Sequence, residues 1–212
     1  VQTCALPICN DEHKNHMDNL SGSYKDLFRK INKIPNVVYL QDNVVVVDGV
    51  AILGTNGWWA FDFDGVTDPD ESALWFQEKE GLSSGVVDSI KHMHNTDANY
   101  MIGSVKRLQT HNDVKKIVMV THTVPDPVLI SHDPTLVNTL KFNTMGNKFM
   151  SHVLNINTEK KIHTWCFGHY HNDVDQIRYG VRYVNNCRGR RDTPWANWAY
   201  HPKRIKIGRA HV

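Results

Sequence analysis

Two short segments place histidines directly after apolar runs that are typical of buried strands. His122 follows the run at 117–121, and His169 and His171 follow the run at 164–168. Because ligands bind beyond the carboxyl ends of the strands in an open α/β sheet, we expect the three imidazoles to lie within reach of one point. Three imidazoles in that position predict a metal site.

The segment Gly168-His169-Tyr170-His171 separates its two imidazoles by one residue. In an extended chain both would point to the same face, because side chains alternate with a period of two, whereas a turn at Gly168 would direct them apart. Imidazole together with oxygen ligands favours Mn, Fe, Zn, Ni or Co over Mg or Ca. Two such ions ~4 Å apart generate hydroxide and hold the oxygens of an in-line displacement. The segment therefore predicts two divalent metal ions and the hydrolysis of phosphoesters.

Composition excludes several other classes of protein. With 41% hydrophobic and 22% charged residues, the 212-residue chain has the composition of a soluble globular domain. No apolar run approaches the ~20 residues that span a bilayer, so we expect no membrane partner. The net charge of +2 is too small to indicate nucleic acid by itself. The four cysteines show no CxxC or disulfide-framework spacing, so we expect a reduced, cytoplasmic setting.

The two ends of the chain resemble in-frame translations of a sequencing-library adapter and of its reverse complement. We therefore expect residues 1–8 and 207–212 to be adapter scars that take no part in the fold, and the domain to occupy 9–206. The codon of Cys9 would then begin with an adapter base, which leaves Cys, Ser, Arg or Gly as the native residue. A natural, frayed terminus is the alternative.

The remaining sequence predicts one α/β domain in which strands surround long helical stretches. Asp48-Gly49 is a strong turn signal and predicts a hairpin between 43–47 and 50–54. The stretch 69–112 has helical character and is polar enough to cover one face of a sheet. Further helices are expected at 23–33 and 139–154, a long loop at 125–138, and further strands at 37–40, 116–120, 165–167, 174–178 and 182–186.

The stretch from 37 to 205 resembles the calcineurin-like metallophosphoesterase superfamily, and within it the small phosphohydrolases. The likeness rests on the Thr-His-x-x-Pro segment at 121–125 and on the Gly-His-x-His segment at 168–171. The resemblance implies a four-layer α/β fold, a β-sandwich flanked by helices, of which the first βαβ portion is missing from this chain. It also implies a centre of two divalent metal ions.

The resemblance assigns the metal ligands. His122 and His169 would bind the second metal ion, and His171 would bind the first. Asn10 would be an amide ligand of the second ion if Cys9 stands for Gly.

The resemblance also places the catalytic groups. Asp11 occupies the position where the family carries a histidine that assists phosphate binding and leaving-group protonation, and His13 is the candidate substitute. The family's Asp-x-His and Gly-Asp-x-x-Asp motifs have no counterpart here, so we expect the chain as given to be inactive and its longer parent to be the enzyme. A non-catalytic scaffold that keeps the fold is the main alternative, and Asp11 in place of His suggests it.

Two aromatic and basic stretches are candidates for substrate binding. Trp58 and Trp59 follow the segment 54–57 and either wall the active-site cleft or anchor the helical cover. Arg188 precedes Trp195, and cations interleaved with aromatic residues can track a nucleic-acid strand. Such a stretch is more often a solvated strand that packs its tryptophans inward. For this reason we do not favour nucleic acid as the partner. Arg188 stays a candidate for substrate binding.

Together these observations predict a metal-dependent phosphoesterase in which a metal-bridging hydroxide attacks a phosphorylated substrate of unknown class. Another class of metallohydrolase stays open, because 169–173 is similar to the His-x-His-x-Asp-His motif of metallo-β-lactamase-type enzymes. That motif requires a histidine where this chain has Val174. The histidines His92, His94 and His132 lie in polar stretches and are expected to be surface groups.

Overall fold

The computed structural model describes residues 2–4, 29–31, 33–35 and 37–186 of the chain. The elements in these ranges are β1 (Gln2–Cys4), β2 (Val37–Tyr39), β3 (Asn43–Val47), β4 (Val50–Thr55), α1 (Pro69–Glu80), α2 (Ser84–Thr110), β5 (Lys116–Thr121), β6 (Ile162–Phe167), β7 (Val174–Arg178) and β8 (Val181–Asn185). No helix within the described ranges has the length and apolar character needed to cross a lipid bilayer.

A mixed six-stranded sheet forms the centre of the fold, in the order β3-β4-β5-β6-β8-β7. β4, β5, β6 and β8 run parallel, and β3 and β7 pair antiparallel with their neighbours at the two edges. The α/β class predicted from the sequence is therefore confirmed. β1 and β2 form a separate parallel pair, in which β1 falls within the segment 1–8 that was expected to lie outside the fold. The four-layer sandwich stays a prediction.

The hairpin predicted from Asp48-Gly49 is confirmed. β3 and β4 pair from Asn43↔Gly54 to Val47↔Val50, so only two residues connect them. Asp48 and Gly49 both have positive φ, at 48° and 76°. Two-residue turns of this kind match the right-handed twist of the flanking strands. The turn therefore sets the register of β4. This strand pairs with β5, which His122 follows.

The helical stretch predicted for 69–112 is divided into two helices. α1 begins after Asp68, whose side chain accepts a hydrogen bond from the Asp70 amide, and Pro69 occupies the first turn. It ends at Gly81, which adopts the left-handed conformation with φ 64°. α2 then runs for 27 residues and packs along the sheet. Within the helix predicted for 23–33, residues 29–31 are helical and Lys33 lies in a turn.

Apolar side chains of the sheet and of α2 form the main core. Ala51 and Leu53 of β4 and Met119 of β5 are fully buried in one cluster with Met101 and Val105 of α2. A second, smaller cluster forms where the loop after β4 meets the helices; its buried members are Trp58, Trp59, Phe61, Ala73, Val86, Val87 and Ile90. This second cluster places the tryptophan pair beneath the carboxyl end of the sheet.

The helix predicted for 139–154 is wrong. The segment forms two 3₁₀ helices, Leu140–Thr144 and Lys148–Ile156, separated by a short extended stretch. In that stretch Gly146 forms a β-bridge with Val124, and the Asn147 amide donates to the Val124 carbonyl at 3.2 Å. Because these backbone groups pair with the chain after β5, they cannot continue an α-helical ladder. The predicted loop at 125–138 likewise contains a short 3₁₀ helix, Pro127–Leu129.

The surface position predicted for His94 is also wrong. His94 lies on the inward face of α2 and is 2% exposed. Buried residues recur along this helix at Ile90, His94, Asp97 and Met101, which is the three-to-four residue spacing of one helical face. Because the stretch is polar, its sequence did not indicate that this face of the helix is buried.

Candidate functional site

The parallel strands bring the predicted histidine segments to one edge of the sheet. β4 pairs with β5 up to Thr55↔Thr121, and β5 pairs with β6 up to Val120↔Cys166. The residues that follow these strands therefore emerge side by side at their carboxyl ends. The Gly168 amide donates to the His122 carbonyl at 2.9 Å, which ties the loop after β6 to the loop after β5.

A turn, not an extended chain, carries the Gly-His-x-His segment. His169 has a positive φ of 64°, and the Tyr170 amide donates to the Gly168 carbonyl at 2.7 Å. His169 is half-buried against the sheet edge, whereas His171 is exposed. This turn is the second of the two chain geometries that the sequence allowed.

His122 and His169 face each other through ring nitrogens. His122 Nε2 lies 3.2 Å from His169 Nδ1, and the ring centroids are 5.0 Å apart with the rings inclined at 67°. On its other side His169 Nε2 lies 3.2 Å from the Thr144 carbonyl oxygen. A carbonyl oxygen can only accept, so Nε2 of His169 carries the proton and Nδ1 keeps its lone pair toward His122.

Both imidazoles are neutral at neutral pH. Burial lowers the pKa of His122 to about 4, with a further contribution from the charge of His171. Burial also lowers the pKa of His169 to about 3, followed by the charges of His122 and His171. Metal binding requires deprotonated imidazole. Both rings are therefore neutral, the form in which imidazole binds metal ions, and in the metal-free pair His122 Nε2 donates its hydrogen to the lone pair on His169 Nδ1.

The pair fits a shared metal ion. Two nitrogens at ~2.1 Å from one ion lie about 3.0 to 3.4 Å apart for bond angles between octahedral and tetrahedral. The observed separation of 3.2 Å between His122 Nε2 and His169 Nδ1 falls within that range. Metal-bound imidazoles also usually donate their second N–H to a carbonyl or carboxylate, as His169 does to Thr144.

Within the described part of the chain, no set of three His, Cys, Asp or Glu side chains converges as metal ligands would. The three imidazoles thus share one edge of the sheet without forming such a set. The other predicted site residues, Asn10, Asp11, His13 and Arg188, lie outside the described residues.

The tryptophan pair lies behind the site. Trp59 stacks on His169, with centroids 5.5 Å apart and the rings inclined at 22°. It also meets Phe61 and Phe76 edge-on, at 6.4 Å and 5.6 Å. Both Trp58 and Trp59 are buried. This burial is the packing expected of a hydrophobic anchor, and Trp59 also covers one face of the His169 ring. A role of the pair in substrate binding stays a prediction.

A buried carboxylate that the sequence analysis missed holds the loop after β4. Asp97 of α2 accepts hydrogen bonds from the backbone amides of Gly57 at 2.7 Å and Trp58 at 3.1 Å. Gln41 Nε2 donates to the same carboxyl group at 3.0 Å. Burial raises the pKa of Asp97 to about 6. The helical spacing from Ile90 to Met101 was the signal that would have placed Asp97 inside.

A second polar network holds the turn of the Gly-His-x-His segment. The buried Tyr170 donates its hydroxyl to Asp133 Oδ2 at 2.9 Å. Asn185 at the end of β8 donates from Nδ2 to the carbonyls of Tyr170 and Asn172. These hydrogen bonds therefore anchor Tyr170, the residue between the two histidines, to the loop after β5 and to β8. The sequence carried no local signal for this partnership.

Comparison with known proteins identifies a similar solved structure. No protein-family model matches the sequence. No curated protein matches it. Among solved structures, the chain is similar to the crystal structure of a phosphopantetheinyl hydrolase from Mycobacterium tuberculosis, with a TM-score of 0.54 and 16% sequence identity. The match covers 86% of this chain and 70% of that chain. At this identity the similarity shows a shared fold.

Proposed function

We propose that this chain belongs to a metal-dependent phosphoester hydrolase of the calcineurin-like type, with a centre of two divalent metal ions. The facing nitrogens of His122 and His169, 3.2 Å apart at the carboxyl edge of the parallel strands, carry the proposal. The similarity in fold to a phosphopantetheinyl hydrolase supports it, because that protein is named as a hydrolase. The motif spacing of the Gly-His-x-His segment points to the same chemistry.

The site residues would divide the work as follows. His122 and His169 hold one ion through Nε2 and Nδ1, and His171 on the exposed side of the turn is available to the other. The ions, when bound, supply a hydroxide nucleophile and neutralise charge on the phosphoryl oxygens. Asn10 is the proposed amide ligand, with Asp11 or His13 as the proposed group near the leaving oxygen.

The surrounding side chains prepare this site. Trp59 covers one face of His169, and the Thr144 carbonyl fixes the tautomer, so the ring does not have to reorient when an ion binds. The apolar backing excludes water and strengthens the electrostatic interactions of the site. The substrate is proposed to be a phosphorylated molecule, and its class is left to experiment.

Metal binding tests the proposal on the 212-residue chain itself. Equilibrium dialysis against Mn²⁺, Co²⁺ and Zn²⁺ should show stoichiometric binding by the wild-type chain and loss of at least one ion in the His169→Ala variant. His92→Ala, which removes an exposed imidazole from α2, is the matched control and should bind as the wild type does. Equal binding by all three proteins would contradict the assignment.

Phosphoester hydrolysis is the second part of the test. The native gene should be sequenced upstream of Asn10, and the protein it encodes should be assayed with aryl phosphate monoesters and diesters and with phosphopantetheinyl substrates. We expect metal-dependent turnover that His169→Ala abolishes. Metal binding without turnover on any phosphoester would favour the scaffold alternative.

A further inference from the structure

Asn56 is a buried polar residue at the candidate site that neither the motifs nor the resemblance assigns. It follows β4 directly and is 4% exposed. Neither its Oδ1 nor its Nδ2 has a hydrogen-bond partner among the described residues. Leaving such a group unsatisfied costs about 1–3 kcal/mol, so a buried amide of this kind calls for a ligand.

The register of the sheet places Asn56 beside His122. β4 and β5 are parallel and pair up to Thr55↔Thr121, so Asn56 and His122 are the first residues after the last pair. Paired residues of neighbouring strands share a face of the sheet. The contact continues past the strands, because the amides of His122 and Thr123 donate to the Asn56 carbonyl at 3.0 and 3.2 Å.

The backbone around Asn56 is fully anchored, in contrast to its side chain. The Asn56 amide donates to Gln41 Oε1 at 2.7 Å, and the Gly57 amide donates to Asp97 at 2.7 Å. The Thr123 hydroxyl donates to the Gly57 carbonyl. The position of Asn56 is thus set by its neighbours, and its carboxamide is the group that they leave without a partner.

We propose that Asn56 is a further protein ligand of the metal ion that His122 and His169 would hold, with Oδ1 as the donor atom. This inference rests on the proposed function. An amide oxygen added to two imidazoles gives a mixed nitrogen and oxygen set that suits Mn, Co, Zn or Fe. Binding of the ion would give the buried Oδ1 atom of Asn56 the partner that the described residues do not supply.

Co²⁺ affinity, measured by competition with a chromophoric chelator, tests the inference. Asn56→Ala should raise the Kd for Co²⁺ at least about tenfold, since even the loss of a group that only supports a ligand usually costs that much. Asn56→Asp should lower the Kd, because a carboxylate binds the ion more tightly than an amide does. In the presence of EDTA, Asn56→Ala should unfold near the wild-type midpoint, because it removes no hydrogen bond between described side chains.

Gln109→Ala is the matched control. Gln109 is also a buried amide with 4% exposure, and it lies at the far end of α2, where Oε1 accepts from the Glu159 amide at 3.0 Å. Its loss should lower the unfolding midpoint in EDTA and leave the Co²⁺ affinity unchanged.

The outcomes separate the two proposals. If the wild type binds Co²⁺, His169→Ala does not and Asn56→Ala binds within twofold of the wild type, Asn56 is not a ligand and the proposed function stands. If Asn56→Ala does not fold, an unchanged Kd in Asn56→Asp overturns the inference. If the wild type itself does not bind Co²⁺, both proposals fail together.

Discussion

At the scale of single residues, burial controls the histidines of this protein more than their neighbours do. His94 packs edge-on against Phe149, with ring centroids 5.3 Å apart. Burial lowers its pKa from 6.5; the carboxylate of Asp62 opposes this effect and the ammonium group of Lys148 adds to it. His122 and His169 follow the same rule at the candidate site. Neutral imidazole is therefore the folded form of all three residues at physiological pH.

Because the His94 imidazole is buried, we expect the folded chain to lose stability in acid. Its folded pKa lies below the unfolded value of 6.5, so the unfolded chain takes up the proton first as the pH falls. Stability that is fully present above about pH 6.5 is then lost as the pH falls toward the folded pKa, by up to about 1.4 kcal/mol per pH unit. Urea unfolding of His94→Leu between pH 7.5 and 5, in EDTA, should give a flatter dependence than the wild type. If the variant and the wild type show the same pH dependence, protonation of His94 does not cause the loss of stability.

At the scale of elements, the candidate site depends on a loop that is distant in sequence from His122 and His169. The stretch between the two 3₁₀ helices pairs with the segment after β5: the Val124 amide donates to the Met145 carbonyl at 3.0 Å, and Gly146 bridges Val124. This pairing brings the Thr144 carbonyl to within 3.2 Å of His169 Nε2. The tautomer of His169 is thus set by an element that is neither of the strands carrying the motif.

Gly146→Ala should disrupt this pairing. A methyl group at Gly146 would lie 2.7 Å from a Phe63 ring carbon and closer still to the Val124 carbonyl oxygen. We expect a loss of about 2 kcal/mol or more in unfolding free energy, together with weaker metal binding, because the Thr144 carbonyl shifts with the loop. Gly85→Ala, at an open position near the start of α2, is the control and should be neutral or stabilising by up to about 1 kcal/mol. Similar denaturation midpoints for the two variants would contradict this account.

At the scale of the whole molecule, the candidate centre is assembled only by folding. Its groups follow β4, β5 and β6, and the supporting carbonyl comes from a fourth segment. None of these groups is close to the others along the chain, so the unfolded protein has no comparable site. The proposed metal binding should therefore be coupled to folding.

This coupling predicts a metal-dependent unfolding transition. An ion that binds only the folded chain adds about 2.7 kcal/mol of stability at a free concentration 100 times its Kd. Thermal unfolding of the wild type should therefore shift upward with Co²⁺ or Zn²⁺ and return with EDTA. His122→Ala should show a clearly smaller metal-induced shift than the wild type at every metal concentration. A shift of wild-type size in this variant would place the ion elsewhere.

Local patterns in the sequence determined much of the sheet. The Asp48-Gly49 turn, the apolar runs of β4, β5 and β6, and the histidines that follow them could all be predicted, because they depend on residues a few positions apart. The strand boundaries moved by one to three residues, as in β6, which begins at Ile162. Such shifts arise because neighbouring strands, not local propensity, decide where a ladder of hydrogen bonds ends.

The tertiary structure alone decided the features that give the site its chemistry. The division of the predicted helix at 139–154, the burial of His94 and the partnership of Tyr170 with Asp133 all depend on contacts between distant segments. The facing of His122 and His169 depends on the parallel register of β5 and β6. Residue type and spacing determined which groups reach the carboxyl edge of the sheet. Packing determined which nitrogen carries the proton and which polar side chain is left for a ligand, because burial and hydrogen-bond partners exist only in the folded chain.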